Sequence, residues 1–120
     1  RSPQDVFQYF RQLSYRTQEE FHVLLLNTKH RILSSSHVAT GILDGALVAP
    51  REVFGRAIKQ AAAALVLVHN HPSGDTTPSQ EDKVLTARMV EAGKIMGIDV
   101  LDHIIVGHLG YSSAKEDGWL

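Results

Sequence analysis

The sequence contains no cysteine. That excludes disulfides and thiolate zinc ligands, and it leaves the redox compartment open. It has no apolar run long enough to cross a bilayer and no visible signal peptide, so a soluble cytoplasmic domain is expected. Neither charge sign dominates. The formal net charge of -1 with neutral histidines offers no electrostatic footprint for nucleic acid. Internal repeats, low-complexity segments and interdomain linkers are also missing. What is present is 120 residues with an ordinary 43% hydrophobic content, enough for one compact domain around one core. The first residue is Arg1 rather than Met, as expected of a piece of a longer protein.

Hydrophobic periodicity predicts alternating helices and strands. Ser2 and Pro3 suit a helix start, and Val6, Phe7, Phe10 and Leu13 share one face of a helix reaching about 11–15. Residues 19–26 read as an interior strand, because Phe21, Val23 and Leu25 on one side and Leu24 and Leu26 on the other are apolar. A turn at 27–30 leads into a hairpin return at 31–33, followed by a Ser-rich bend at 34–36. Weaker strands are expected at 37–43 and 46–48, broken by Asp44-Gly45. Pro50 opens a second helix whose buried stripe is Val53, Phe54, Ala57, Ile58 and Ala61. Residues 65–68 form a continuous apolar run suited to a central strand, which Pro72 terminates. Ser79 begins the longest helix, with Leu85, Met89, Ala92 and Met96 on its core face and Gly97 as its terminator. A strand at 98–106, a turn at 107–110 and a short helical or irregular tail at 111–120 complete an α/β domain with a mixed sheet.

The chemistry concentrates at the end of the central strand. His69 and His71 are two apart, so a strand presents both imidazoles on one side. Ser79 reads as an N-cap, which makes Asp82 the third helical residue. Asp82 lies three before the core residue Leu85 and therefore points toward the sheet, where a carboxylate needs a partner. Two neutral imidazoles and a carboxylate are zinc ligands, and three protein ligands leave a fourth position for water, as in catalytic sites. Each part alone has a plainer reading. A histidine at a strand end is usually structural, and Ser-x-x-Asp before an apolar stripe is usually a helix cap. The four together after a buried strand favour the metal.

His69-x-His71, seven residues, then Ser79-x-x-Asp82 matches in type and spacing the JAMM motif of MPN-domain metalloproteases, which the chain therefore resembles. The fuller strings around it, His69-Asn70-His71-Pro72-Ser73-Gly74, Pro50-Arg51-Glu52-Val53-Phe54 and Leu101-Asp102-His103, look like the bacterial RadC branch. The resemblance covers roughly 18–120. It implies a cytidine-deaminase-like (MPN/JAB) three-layer α/β domain over 1–120, a mixed sheet flanked by helices, with 1–17 an N-terminal helix and lead-in. It further implies that His69, His71 and Asp82 bind Zn2+, that Ser79 stabilises the oxyanion of a tetrahedral intermediate, and that an upstream glutamate acts as general base and then acid. Glu19 fits that glutamate first, because apolar residues follow it at even spacing. Glu52, in the RadC-like string, comes second, and Glu20, facing the other way, third.

Asp75 reads as a turn residue or as a partner for a histidine N–H behind the metal. Asp102 and His103 are read as structural hydrogen-bonding residues ahead of that same supporting role. His22, His30, His37 and His108 show no ligand-like spacing and read as structural or surface residues.

The resemblance implies a zinc-dependent metallopeptidase that cleaves a peptide or isopeptide bond. Two other classes compete with it: a DNA-associated, repair-related domain, and a metal-binding scaffold without turnover. The retained ligands argue against the scaffold, and the neutral charge gives nucleic acid no support. A deaminase needs a cysteine pair that the chain lacks. The implied partner is an unspecified protein or peptide substrate; no membrane contact is expected, and homo-oligomerisation stays open.

Overall fold

The structure is a computed structural model that describes residues 2–41 and 48–120. Helix α1 (Pro3–Tyr9) continues into a short 3₁₀ helix at Arg11–Tyr15. Strands β1 (Glu20–Leu26) and β2 (Ile32–Thr40), helix α2 (Pro50–Lys59), strand β3 (Ala64–Asn70), helix α3 (Gln80–Met96) and strands β4 (Asp99–Gly107) and β5 (Gly110–Ser113) follow. The five strands make one mixed sheet in the order β2-β1-β3-β4-β5. Only β3 and β4 pair in parallel, with α3 as the crossover between them.

Strand period two divides the apolar residues between two cores. Phe21, Val23, Leu25, Leu65 and Leu67 pack with Val53, Phe54, Leu85 and Met89 of α2 and α3. Leu24, Leu26, Val66 and Val68 pack with Phe7, Phe10 and Leu13 on the opposite face. The interior position of β1 and β3 explains why both faces of each are apolar. The sheet is thus flanked by helices on both sides, as the sequence predicts. None of the helices among the described residues is long and apolar enough to cross a membrane.

Four expectations are corrected. Ser34–Ser36 is not a bend: all three lie inside β2 and pair with Leu25, Leu24 and Val23. Pairing with an interior strand outweighs the local turn preference of serine. Residues 111–113 do not begin a helical or irregular tail but belong to edge strand β5, returned onto β4 by the tight turn between Gly107 and Gly110. Ile58 and Met96 are 55% and 45% exposed. They line a surface groove between α2 and α3 instead of facing the sheet. Ala61 is exposed too, because α2 stops at Lys59 and Ala61 turns away with φ 55°. The break at Asp44-Gly45, the end of the strand expected at 37–43 and most of that expected at 46–48 lie outside the described residues.

Candidate metal centre

The central strand delivers its two histidines to one spot. β3 is fully buried, and its parallel pairing to β4 continues beyond Asn70 through the His71 N–H, which donates to the Val106 carbonyl. His69 is 1% exposed; His71, just past the strand, is only partly covered. Phe21, directly opposite His69 in β1, stacks on its ring at 6.1 Å between centroids.

Asp82 arrives from the other side on the first turn of α3. Ser79 caps this helix reciprocally: its Oγ accepts from the Asp82 N–H at 3.0 Å, and its own N–H donates to Asp82 Oδ2 at 2.8 Å. The cap therefore also aims the carboxylate. The two His Nε2 atoms lie 3.0 Å apart, Asp82 Oδ2 is 3.1 Å from that of His71, and Asp82 Oδ1 is 3.2 Å from that of His69. A tetrahedral ion with bonds of roughly 2.0–2.1 Å needs ligand separations of about 3.3 Å.

The surrounding hydrogen bonds decide where the imidazole protons sit. His71 Nδ1 meets the Asp75 carbonyl at 2.8 Å. A carbonyl only accepts, so Nδ1 carries the hydrogen and Nε2 of the neutral ring is bare. On the other side, the Thr86 hydroxyl donates to the Asp82 carbonyl at 2.7 Å. Its oxygen then accepts from His103 Nδ1. His103 Nε2 is consequently an acceptor, filled by His69 Nδ1–H at 2.7 Å. Nε2 of the neutral His69 ring is bare as well. Two lone pairs and a carboxylate converge with no donor among them, and a cation relieves that repulsion. The residues present therefore fit a divalent metal.

Without an ion, protons would relieve the same crowding. Burial would raise the Asp82 pKa, but the hydrogen bonds that charged His69 and His71 rings would donate from Nε2 outweigh it and hold the carboxyl far below the usual range. His71 moves up: burial opposes this, and the bonds that its charged ring would donate to Asp82 and to the Asp75 carbonyl prevail. Burial drives His103 well below the ordinary imidazole value, which keeps it neutral.

The glutamates separate by face. Glu19, immediately before β1, brings a carboxylate oxygen within 4.8 Å of the ligand atoms of His69 and His71. Glu20 points through the opposite face and bonds His22 at 3.0 Å, and Glu52 pairs with Arg51 and Arg56 on the exposed side of α2. Asp75 acts through its backbone carbonyl, while its carboxylate accepts from Thr77 in the turn. Asp102 is structural, accepting from Ser113, from the Lys115 N–H and from the His103 N–H. His103 is not, because it holds His69. Its alternation with Asp102 along β4 was the sequence signal for this, but period two alone does not say which of the pair faces the site.

Gly74, at φ 91°, lets the 72–76 loop lie against β4, since a Cβ there would meet the His108 ring at 2.4 Å. His108 thus packs the loop that carries the Asp75 carbonyl. His22 and His37, unremarked by spacing, meet across β1 and β2 with Glu20.

Comparison with known proteins follows this geometry. Residues 1–119 match the family described as RadC-like JAB domain. A "UPF0758 protein" of Symbiobacterium thermophilum is 48% identical over 120 residues, covering 99% of this chain and 51% of that protein. One of Pelobacter propionicus is 54% identical over 120 residues, covering 99% and 52%, and one of Methanosarcina barkeri is 45% identical over the same length and shares. The chain spans about half the length of these relatives. With the match running through both sheet faces and the His69–Asp82 segment, the chain belongs to the RadC-like JAB domain family.

Proposed function

We propose that this domain is a zinc-dependent hydrolase of the JAMM type, cleaving a peptide or isopeptide bond. The observation that supports the reading is the convergence of two bare imidazole nitrogens and one carboxylate within 3.0–3.2 Å of one another. His69, His71 and Asp82 would hold the ion. Zinc, when bound, supplies a Lewis acid and lowers the pKa of water to about 7, giving a nucleophile near neutral pH.

The remaining chemistry belongs to the chain. Glu19 accepts a proton from the attacking water and returns it to the departing amine as the C–O bond forms and the C–N bond breaks. The Ser79 Oγ that caps α3 does so as an acceptor, so its hydroxyl proton is available to the carbonyl oxygen as negative charge develops there. One hydroxyl thereby serves both the helix and the reaction. The buried His69, supported by His103, keeps the catalytic geometry rigid. The substrate is a protein or peptide, and a soluble cytoplasmic setting suits this chemistry.

The test is elemental analysis of the purified chain beside turnover of mixed peptide and isopeptide substrates. About one zinc per chain is expected, with Glu19→Gln retaining the zinc and losing hydrolysis. A chain that takes up no zinc after reconstitution at neutral pH would sink the reading and leave a scaffold without chemistry.

A further inference from the structure

The proposed base, Glu19, sits just before β1, at the point where backbone pairing to β3 ends. The last rung of that antiparallel ladder is Phe21 opposite His69. The next position would pair Glu20 with Asn70, and there the side chain of Asn70 takes over. Its Oδ1 accepts the Glu20 N–H at 2.7 Å, and its Nδ2 donates to the Gln18 carbonyl at 3.0 Å. The two bonds grip the chain on either side of Glu19. A third bond, from the Gly41 N–H just past β2 to the Glu19 carbonyl at 2.8 Å, holds the same residue.

Asn70 is fully buried at 0% exposure and lies between His69 and His71. The grip therefore originates in the segment that carries both imidazoles. Any displacement of that segment moves the backbone of Glu19 with it. The contact demands one donor and one acceptor on a short planar group. Aspartate would turn one of its oxygens on the Gln18 carbonyl, and leucine would leave both backbone groups without a partner.

From this juxtaposition we infer that Asn70 is a positioning residue: it sets the reach of the Glu19 carboxylate toward the His69–His71 pair. The inference rests on the hydrolase reading and deepens it. The side-chain hydrogen bonds of Asn70 go to the backbone on either side of Glu19 and to none of His69, His71 and Asp82, so its substitution reaches the site through Glu19.

The test loads the full chain with Co2+, whose visible spectrum needs no substrate, and follows its pH midpoint. Removing the Glu19 charge in Glu19→Gln is expected to lower the midpoint by roughly one pH unit, because a nearby anion favours the protonated form of a group at the metal. Asn70→Ala is expected to keep one Co2+ per chain and to shift the midpoint the same way by a smaller amount. Added to Glu19→Gln, it should shift nothing further. Asn70→Ser, which keeps a hydroxyl, provides a milder variant if the alanine form does not fold, with the same expectation.

A midpoint unmoved by either Asn70 variant while Glu19→Gln moves it overturns the inference, as does an Asn70 effect that adds in full to that of Glu19→Gln. A silent Glu19→Gln overturns it too, by removing Glu19 from the metal's surroundings. Failure of the parent chain to bind Co2+ overturns the hydrolase reading itself, and this inference with it.

Discussion

Among the described residues, two clusters contain a pair of histidines and a glutamate within reach of one another: Glu19 with His69 and His71, and Glu20 with His22 and His37. By composition they are alike, and adjacent residues supply their glutamates. Their geometry differs in the property that coordination requires. A metal lies in the plane of each imidazole that binds it. The rings of His69 and His71 are inclined at 65° with their Nε2 atoms 3.0 Å apart, so the two nitrogens converge. Those of His22 and His37 are stacked at 12° with centroids 4.6 Å apart, so their lone pairs run side by side.

The proton positions differ in the same sense. His22 Nε2 faces the Glu20 carboxylate at 3.0 Å, and His37 Nε2 faces the Ala39 carbonyl at 3.0 Å. The carboxylate only accepts, so His22 Nε2 carries a hydrogen, and His37 Nε2 is also engaged by the Thr40 hydroxyl at 2.7 Å. At the candidate metal centre the acceptors sit behind the rings, on Nδ1, and leave Nε2 bare. The hydrogen bonds behind a histidine, more than the count of histidines, distinguish a ligand set from a polar cluster.

The largest expected effect separates the two clusters outright. His69→Ala/His71→Ala should reduce zinc from about one per chain to none, whereas His22→Ala/His37→Ala should leave it unchanged by elemental analysis. Zinc lost from the second variant would break the comparison. Next in size is the support behind His69. His103→Leu should weaken zinc affinity by about 10–100-fold in chelator competition, and Thr86→Val should act in the same direction. Unaltered affinity in both would refute the proton assignment.

A smaller effect extends the contrast to the two serine caps. Ser79 and Ser2 both close capping boxes. Each alanine variant should cost about 1 kcal/mol of stability in urea melts, but only Ser79→Ala should also reduce hydrolysis. Equal turnover would return Ser79 to a purely structural role.

The smallest effect concerns acid stability of the metal-free chain. Burial lowers the His22 pKa, against the opposing hydrogen bond that His22 donates to Glu20. The unfolded chain then binds a proton at about pH 6.5 that the folded chain refuses, so this residue makes stability fall as pH drops through that range. His71, whose pKa is raised, has the opposite sign: its contribution is present below pH 6.5 and lost as pH rises through its folded value. His22→Gln should therefore give a shallower loss of stability between pH 7.5 and 5.5, and partial exposure keeps the change small. A steeper loss would contradict the assignment.

Much of the fold was legible because its signals are local. Apolar residues on both faces marked β1 and a continuous apolar run marked β3, Ser79 and Gly97 bounded α3, and Asp82 faced inward because Leu85 does. The strand errors fell at the sheet edges, and the others at the ends of α2 and α3. Ser34–Ser36 and residues 111–113 became strands through pairing with distant residues, and no local propensity encodes that pairing.

The same division holds within the site. The sequence by itself determined that His69 and His71 share a face, that Ser79 caps α3 and that Asp82 turns toward the sheet, because strand and helix periods act over a few residues. Tertiary structure alone decided which glutamate stands beside them, which histidine supports them and what Asn70 holds. His103 lies 34 positions from His69, and Asn70 lies 50 from Glu20. Such contacts exist only once sheet register brings β1, β3 and β4 side by side, and register is a property of the packed strands together.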